Sequence, residues 1–164
     1  MNKTAIFYGS STGNTESVAK TIATKLNADI YNVADDPIEN ITDYNNLIFG
    51  SSTWGFGDLQ DDWEGFLPKL AKADLNGKTI ALFGLGDCEG YPDTFVDAIG
   101  AIYETIKDKG CKIIGMVKTS EYSISDSKAI IDGSFVGLPL DEDNESSLTN
   151  SRLDNWLNDI SKQF

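Results

Sequence analysis

Ala5-Ile6-Phe7-Tyr8-Gly9-Ser10-Ser11-Thr12-Gly13-Asn14-Thr15 is an apolar run that breaks into glycines, hydroxyls and an amide. Its first part reads as a buried strand. Beyond it, Val18, Ile22 and Leu26 recur at helical spacing and mark one face of a helix. From Ser10 to Thr15 no side chain is bulky and none is charged. At a strand-to-helix junction such a loop turns backbone N–H groups and hydroxyls towards one point, at the positive end of the helix dipole, and that suits a phosphate. The lysine that nucleotide hydrolases place beside the Ser or Thr of their P-loop is missing. The loop can hold a phosphate without the usual means of activating one. Taken alone, it is equally a well-capped first helix after a tight turn.

Outward from this junction, strand and helix patterns alternate. Residues 4–9 read as the first strand and 14–26 as the first helix. Residues 28–33 read as the second strand, 36–44 as a weakly patterned short helix and 46–52 as the third strand. A long loop follows, then a helix with Trp63, Phe66, Leu67 and Leu70 on one side. Pro68 forfeits a helix hydrogen bond there, so that helix is expected to be short or kinked. Residues 79–83 form the fourth strand and 84–93 a loop. Phe95, Ile99, Ile102 and Ile106 mark a helix that stops at Gly110, and 111–117 form the fifth strand. A polar segment, 118–133, interrupts before residues 135–139 resume an extended apolar pattern. Leu153, Trp156, Leu157, Ile160 and Phe164 mark the last helix. Strands that are short continuous apolar runs, alternating with helices, predict a parallel sheet covered on both faces. In such folds ligands bind beyond the carboxyl ends of the strands, at the switch point of strand order.

Bulk composition narrows the chemistry. The 164 residues suit one domain with a substantial core. No apolar run approaches a membrane span and no secretory signal is evident, so a cytoplasmic address is expected. Cys88 and Cys111 are too few for a disulfide framework or a zinc site and are read as free thiols. The chain has no histidine. That excludes Ser-His and Cys-His nucleophile systems and removes the commonest metal ligand. Redox or group-transfer chemistry would have to come from a bound cofactor. A net charge of −13, from 13 basic and 26 acidic residues, argues against nucleic acid; it suits a basic protein partner and equally serves solubility alone. The acids cluster. Asp58, Asp61, Asp62 and Glu64 occur with no Lys or Arg among them. Residues 79–106 contain no basic residue but hold Asp87, Glu89, Asp93, Asp97 and Glu104.

The loops after the third and fourth strands are the other two places where function is expected. They are Thr53-Trp54-Gly55-Phe56-Gly57-Asp58 and Gly84-Leu85-Gly86-Asp87-Cys88-Glu89-Gly90-Tyr91-Pro92-Asp93. Each sets an aromatic among glycines beyond a strand end. Ordinary packing accounts for Trp54 or Tyr91 alone. Both together, beside a phosphate loop, point to a flat ring held between them.

These motifs, in this order and spacing, resemble a flavodoxin of the long-chain type over essentially the full length. The matching segments are residues 10–15, 52–57, 59–63, 84–87 and 90–91, with Phe135-Val136-Gly137-Leu138 and Leu140-Asp141-Glu142-Asp143-Asn144 near the end. The resemblance implies a single flavodoxin-like domain over 1–164. Its sheet would be doubly wound, parallel and five-stranded, in the order 2-1-3-4-5, with helices on both faces. The segment 118–133 would be the insertion that splits strand five. The resemblance also implies non-covalent FMN. Ser10, Ser11, Thr12, Gly13, Asn14 and Thr15 would wrap the phosphate, Trp54 would stack on the inner ring face and Tyr91 on the outer. The backbone of residues 54–57 and 85–87, with Gly55, Phe56, Gly57, Leu85 and Gly86, would line the ring edge, and Asp87 would lie near its pyrimidine end. Ser52 and Thr53 would also belong to the cofactor site, and Asp143 would lie near the cofactor. Gly55 stands where many long-chain members carry Asn.

The implied function is low-potential one-electron transfer, shuttling between semiquinone and hydroquinone, and not enzymatic turnover. A glycine at 55 makes the peptide rotation that offers a carbonyl to the flavin N5–H easy. The acidic stretches would disfavour the anionic hydroquinone and orient a basic partner, such as a flavodoxin/ferredoxin reductase or another oxidoreductase. A monomer is expected. The alternative is an FMN-dependent NAD(P)H:quinone-type reductase on the same fold, which would need a substrate site over the face that Tyr91 covers. A phosphoacceptor regulator needs acids where Ser10, Ser51 and Ser52 stand, and a low-molecular-weight phosphatase needs Cys and Arg in the first loop.

Overall fold

The computed structural model describes residues 3–164; the first two positions of the expected 1–164 domain lie outside the described residues. The elements run β1 (Thr4–Gly9), α1 (Asn14–Leu26), β2 (Asp29–Asn32), β3 (Asn46–Trp54), β4 (Asp58–Leu59), α2 (Asp61–Lys72), β5 (Thr79–Leu85) and α3 (Asp97–Ile106). They continue as β6 (Lys112–Ile114), β7 (Val117–Lys118), β8 (Ile130–Ile131), β9 (Ser134–Phe135), β10 (Leu138–Leu140) and α4 (Thr149–Ser161). The continuous apolar strands have a simple cause. Successive residues of β1 enter different cores: Ala5 and Phe7 on one face of the sheet, Ile6 and Tyr8 on the other. The first core receives Trp63, Phe66 and Leu70 of α2 and Ile99, Ile102 and Ile106 of α3. The second receives Val18, Ala19 and Ile22 of α1 and Leu153, Trp156, Leu157 and Ile160 of α4.

The main sheet runs β10-β5-β3-β1-β2, and β6 also pairs with β5. The parallel register sets Thr79–Ala81 of β5 against β6 and Phe83–Leu85 against β10. Two short strands therefore share the fifth position, and the expected 2-1-3-4-5 order with a split fifth strand is what the sheet has. The chain between them folds into a small antiparallel sheet, β7-β9-β8.

Several expected boundaries move. The second strand is shorter than 28–33, because Val33 opens a 3-10 turn over Val33–Asp35. The short helix expected over 36–44 is a 3-10 stretch, Ile38–Asp43. The third strand continues to Trp54, and the expected long loop is a hairpin: Thr53 pairs with Leu59 and Trp54 with Asp58. The fourth strand continues to Leu85. The fifth does not run through 111–117. It breaks at Gly115, whose φ is +81°, where the Trp156 indole occupies the space of a Cβ. The second helix is not short, since α2 passes through Pro68 to Lys72. Phe95 precedes α3, because Val96 takes a left-handed φ of 50° as its N-cap. No helix among the described residues is long and apolar enough to cross a membrane.

Candidate functional site

Three loops leave the carboxyl end of the sheet from neighbouring strands. Gly9 at the end of β1 pairs with Ser51 of β3, and Ser51 and Ser52 pair with Gly84 and Leu85 of β5. The strands lie about 4.8 Å apart, so residues 10–15, 55–57 and 86–91 open side by side.

The first loop carries Ser10, Ser11, Thr12, Gly13, Asn14 and Thr15 into the N-terminus of α1. Gly13 is the N-cap with φ 95°, and no side chain among the described residues caps the helix. The Ser10 hydroxyl accepts the Gly13 N–H at 3.1 Å. Ser11, Thr12, Gly13 and Asn14 are exposed, whereas Thr15 is buried. The nearest acid in sequence, Glu16, pairs with Lys20 at 2.7 Å. What remains is a cluster of uncharged donors at the positive end of a helix, a set that fits a phosphate dianion. A residue of the matching segment 59–63, with no role at the site in the sequence reading, lies beneath it. Gln60 is 1% exposed and its amide donates to the Ser11 hydroxyl at 3.2 Å. A Cβ on Gly9 would lie 2.2 Å from its Oε1, so only glycine lets Gln60 pass under the loop. No sequence pattern joins these positions.

The second loop is the tip of the β3–β4 hairpin, Gly55-Phe56-Gly57, with Gly55 at φ 53° and Gly57 at φ 100°. Trp54 is 41% exposed, and its indole N–H donates to the Ser52 hydroxyl at 2.9 Å. Thr53 accepts the Ala98 N–H from α3 at 3.0 Å. Phe56 is 87% exposed and meets Tyr91 edge-on, with ring centroids 6.0 Å apart. The third loop presents Tyr91, also 41% exposed. Leu85 is the last residue of β5, and its neighbour Gly86 donates its N–H to the Leu140 carbonyl at 3.0 Å. Large aromatics left open on adjacent Gly-rich loops fit a flat ring.

Asp87 holds its own loop. One of its oxygens accepts from the Gly90 N–H at 2.7 Å, the Glu89 N–H at 3.2 Å and the Asn144 amide at 2.7 Å. Asn144 is thus the residue of its turn that crosses to the third loop. Asp143 is exposed and donates its N–H to Asp141. Asp141 is fully buried and accepts the Cys88 N–H at 2.9 Å, which pins the loop from below.

The expected acidic surface is smaller than the sequence implies. Asp97 is 2% exposed and accepts the Lys128 N–H at 2.7 Å, so it belongs to the interior. Glu104 lies towards the far end of α3 and pairs with Lys107 at 2.8 Å. Asp58, Asp61, Asp62, Glu64, Asp87, Glu89 and Asp93 remain on or beside the three loops. A separate cavity of about 1180 Å³ lies between β6, the insertion and α4, and none of the loop residues lines it.

The sequence and fold have close counterparts. The flavodoxin family model matches residues 6–156. A flavodoxin from Nostoc sp. is 44% identical, with the match covering 99% of this chain and 97% of that protein. Flavodoxin 1 of Escherichia coli is 42% identical, with coverage of 98% and 94%. The crystal structure of Fusobacterium nucleatum flavodoxin bound to flavin mononucleotide is similar at a TM-score of 0.95 and 31% identity, covering 100% of this chain and 99% of that one.

Proposed function

The chain belongs to the flavodoxin family, of the long-chain type, and on that premise we propose that it carries single electrons between redox proteins on a non-covalently bound FMN. It is an electron-transfer protein and not an enzyme. One observation carries the reading: an uncapped helix N-terminus ringed by neutral donors lies beside two half-open aromatics on the neighbouring loops.

Bound FMN would supply the redox chemistry. The chain's own residues do the rest. Ser10, Ser11, Thr12, Gly13, Asn14 and Thr15 would bind the phosphate through N–H groups and hydroxyls, with Gln60 holding Ser11 in place. Trp54 and Tyr91 would cover the two ring faces and exclude water, which makes any charge placed between them costly. Ser52, Thr53, Gly55, Phe56, Gly57, Leu85 and Gly86 would line the ring edge, and Asp87 would shape it by holding its loop to Asn144. Asp143 would stand at the rim. Gly55 already occupies positive φ, so the peptide after it can turn at low cost and offer its carbonyl as an acceptor.

The exposed Phe56 and the seven acids on or beside the three loops would form a small, negatively charged docking face for a basic redox partner, such as a flavodoxin/ferredoxin reductase or another oxidoreductase. Residues 1–164 act as one domain, monomeric and cytoplasmic. Anaerobic stepwise photoreduction of the purified protein, followed by visible absorbance, tests the reading. The expected record is a yellow protein with one FMN that passes through a long-wavelength species before it bleaches. Direct bleaching in one two-electron step contradicts one-electron carriage. Failure to load FMN removes the assignment of all three loops.

A further inference from the structure

The insertion touches two of the three loops through very few bonds. Asp97 opens α3 and is 2% exposed. Its Oδ1 accepts the Lys128 N–H at 2.7 Å and the Ser127 hydroxyl at 3.4 Å, both from the insertion. Its Oδ2 faces the other way: a Cβ built on Gly57 would lie 2.6 Å from it, so the carboxyl packs directly on the hairpin tip. The next residue, Ala98, donates its N–H to Thr53 on the same hairpin. The insertion also reaches the third loop. The N–H groups of Ser125 and Asp126 both donate to the carbonyl of Pro92, adjacent to Tyr91, at 3.0 and 3.2 Å.

From this geometry we infer that the insertion is a brace for the ring slot, with Asp97 as the positioning residue that sets the Trp54 hairpin against the Tyr91 loop. A single turn of chain is bonded directly to the loop carrying Tyr91 and, through Asp97, to the hairpin carrying Trp54. Two further observations agree. Val96, β-branched and wholly buried, is held at a φ of 50° where α3 begins. Such strain persists only where the surroundings over-determine it. Among the described residues no cation pairs with Asp97. A carboxyl buried without a counter-ion is costly, and here only the positive end of α3 and the donors of the insertion offset that cost.

This inference rests on the FMN reading, and the test separates the two. Dissociation constants for FMN, and for riboflavin, which lacks the phosphate, are measured on the full chain. The proteins are wild type, Asp97→Ala, Asp97→Asn and a control at the far end of α3, Ile106→Ala or Ile106→Val, chosen for an equal drop in unfolding midpoint. Asn keeps an oxygen for the Lys128 N–H and Ala does not. Asp97→Ala is expected to weaken FMN and riboflavin by the same factor, about tenfold, and to alter the near-ultraviolet circular dichroism of the bound flavin. Asp97→Asn should restore most of the affinity, and the Ile106 control should leave both constants as in wild type. Wild-type affinity in Asp97→Ala, or an equal loss in the control, overturns the brace. So does a loss confined to FMN, which would place the effect on the phosphate loop. Should Asp97→Ala fail to fold, Ser127→Ala removes the hydroxyl shared by Phe95 and Asp97 and is judged by the same outcomes. A wild-type protein that takes up no FMN defeats the FMN reading first and the brace with it.

Discussion

Asp97 and Asp141 are both buried carboxyls, yet their surroundings push them in opposite directions. For Asp97, burial outweighs the Lys128 N–H and the Ser127 hydroxyl, and its carboxyl titrates above the ordinary range. Burial also opposes ionisation of Asp141. There, donors from Asn144 and Cys88 prevail and its carboxyl titrates below the ordinary range. The consequences for stability have opposite signs. Folded Asp141 binds fewer protons than the unfolded chain does just below the ordinary carboxyl value. Its stabilisation is complete above that value and is lost as pH falls through the folded one. Folded Asp97 binds more protons just above the ordinary value, so stability declines as pH rises through its raised value. Asp141→Asn should therefore cost about 1–3 kcal/mol at neutral pH, a cost that shrinks below about pH 4. Asp97→Asn should be more stable than wild type at neutral pH, and the gain should vanish in acid. Urea midpoints measured across this range settle both, and parallel profiles would contradict the assignment. Cys88 belongs to the same cluster. Burial and then the Asp141 carboxylate push its thiol up to about 12, and burial raises Cys111 as well. A thiol reagent at mildly alkaline pH should label neither cysteine quickly in the folded protein and both once it is unfolded. Rapid labelling of Cys88 in the folded state would count against this picture.

The β3–β4 hairpin and the β8–β9 turn offer a matched comparison between elements. Gly57 and Gly133 both hold positive φ, 100° and 80°. A Cβ at Gly133 meets nothing within 4 Å, whereas at Gly57 it lies 2.6 Å from Asp97. Alanine at either position pays the left-handed penalty of about 1–2 kcal/mol. Only Gly57→Ala adds a clash with a braced side chain, for about 1–3 kcal/mol more. Equal losses in equilibrium unfolding of the FMN-free proteins would mean that the hairpin tip is not held against Asp97. The same elements explain what the sequence made legible. β1, β3 and β5 are readable because each feeds two cores and so forms an unbroken apolar run, and the helices are readable from their buried stripes. β4 is two residues long, too short for any period, and exists only because Thr53 and Trp54 lie opposite it. The break at Gly115 is imposed by Trp156, 41 residues away, which donates to its carbonyl. α2 survives Pro68 because the apolar stripe of Trp63, Phe66 and Leu70 outweighs one lost hydrogen bond. The residue types of the site loops were legible for a chemical reason, since phosphate and ring each demand a composition. Their supports were not. Gln60 to Ser11, Asn144 to Asp87 and Lys128 to Asp97 join positions 49, 57 and 31 residues apart.

Across the whole molecule the net charge of −13 is unevenly placed, and placement decides its effect on the cofactor. Asp97 is interior and Glu104 is at the far end of its helix, so the field at the ring slot would come from the seven acids on or beside the loops and from the bound phosphate. A carboxylate about 10 Å from a flavin anion costs roughly 0.4–1.6 kcal/mol at an effective dielectric of about 80 to 20. Several together would make the second electron hard to add and the fully reduced carrier a strong reductant. Salt screens this repulsion, because the Debye length falls from about 30 Å at 0.01 M to about 3 Å at 1 M. The second reduction potential should therefore become less negative as ionic strength rises. Replacing two of these acids, as in Asp58→Asn with Asp93→Asn, should reduce the salt slope. Asp159→Asn, near the end of α4 and beside the other cavity, should leave it as in wild type. Association with a basic partner should slow over the same salt range, while reduction by a small neutral donor should not. Spectroelectrochemistry of the FMN-loaded protein at several salt concentrations reads the potential directly. A salt-independent potential, or equal slopes for the loop and α4 variants, would show that the drive to donate electrons comes from the water-excluding aromatics and not from the acidic surface.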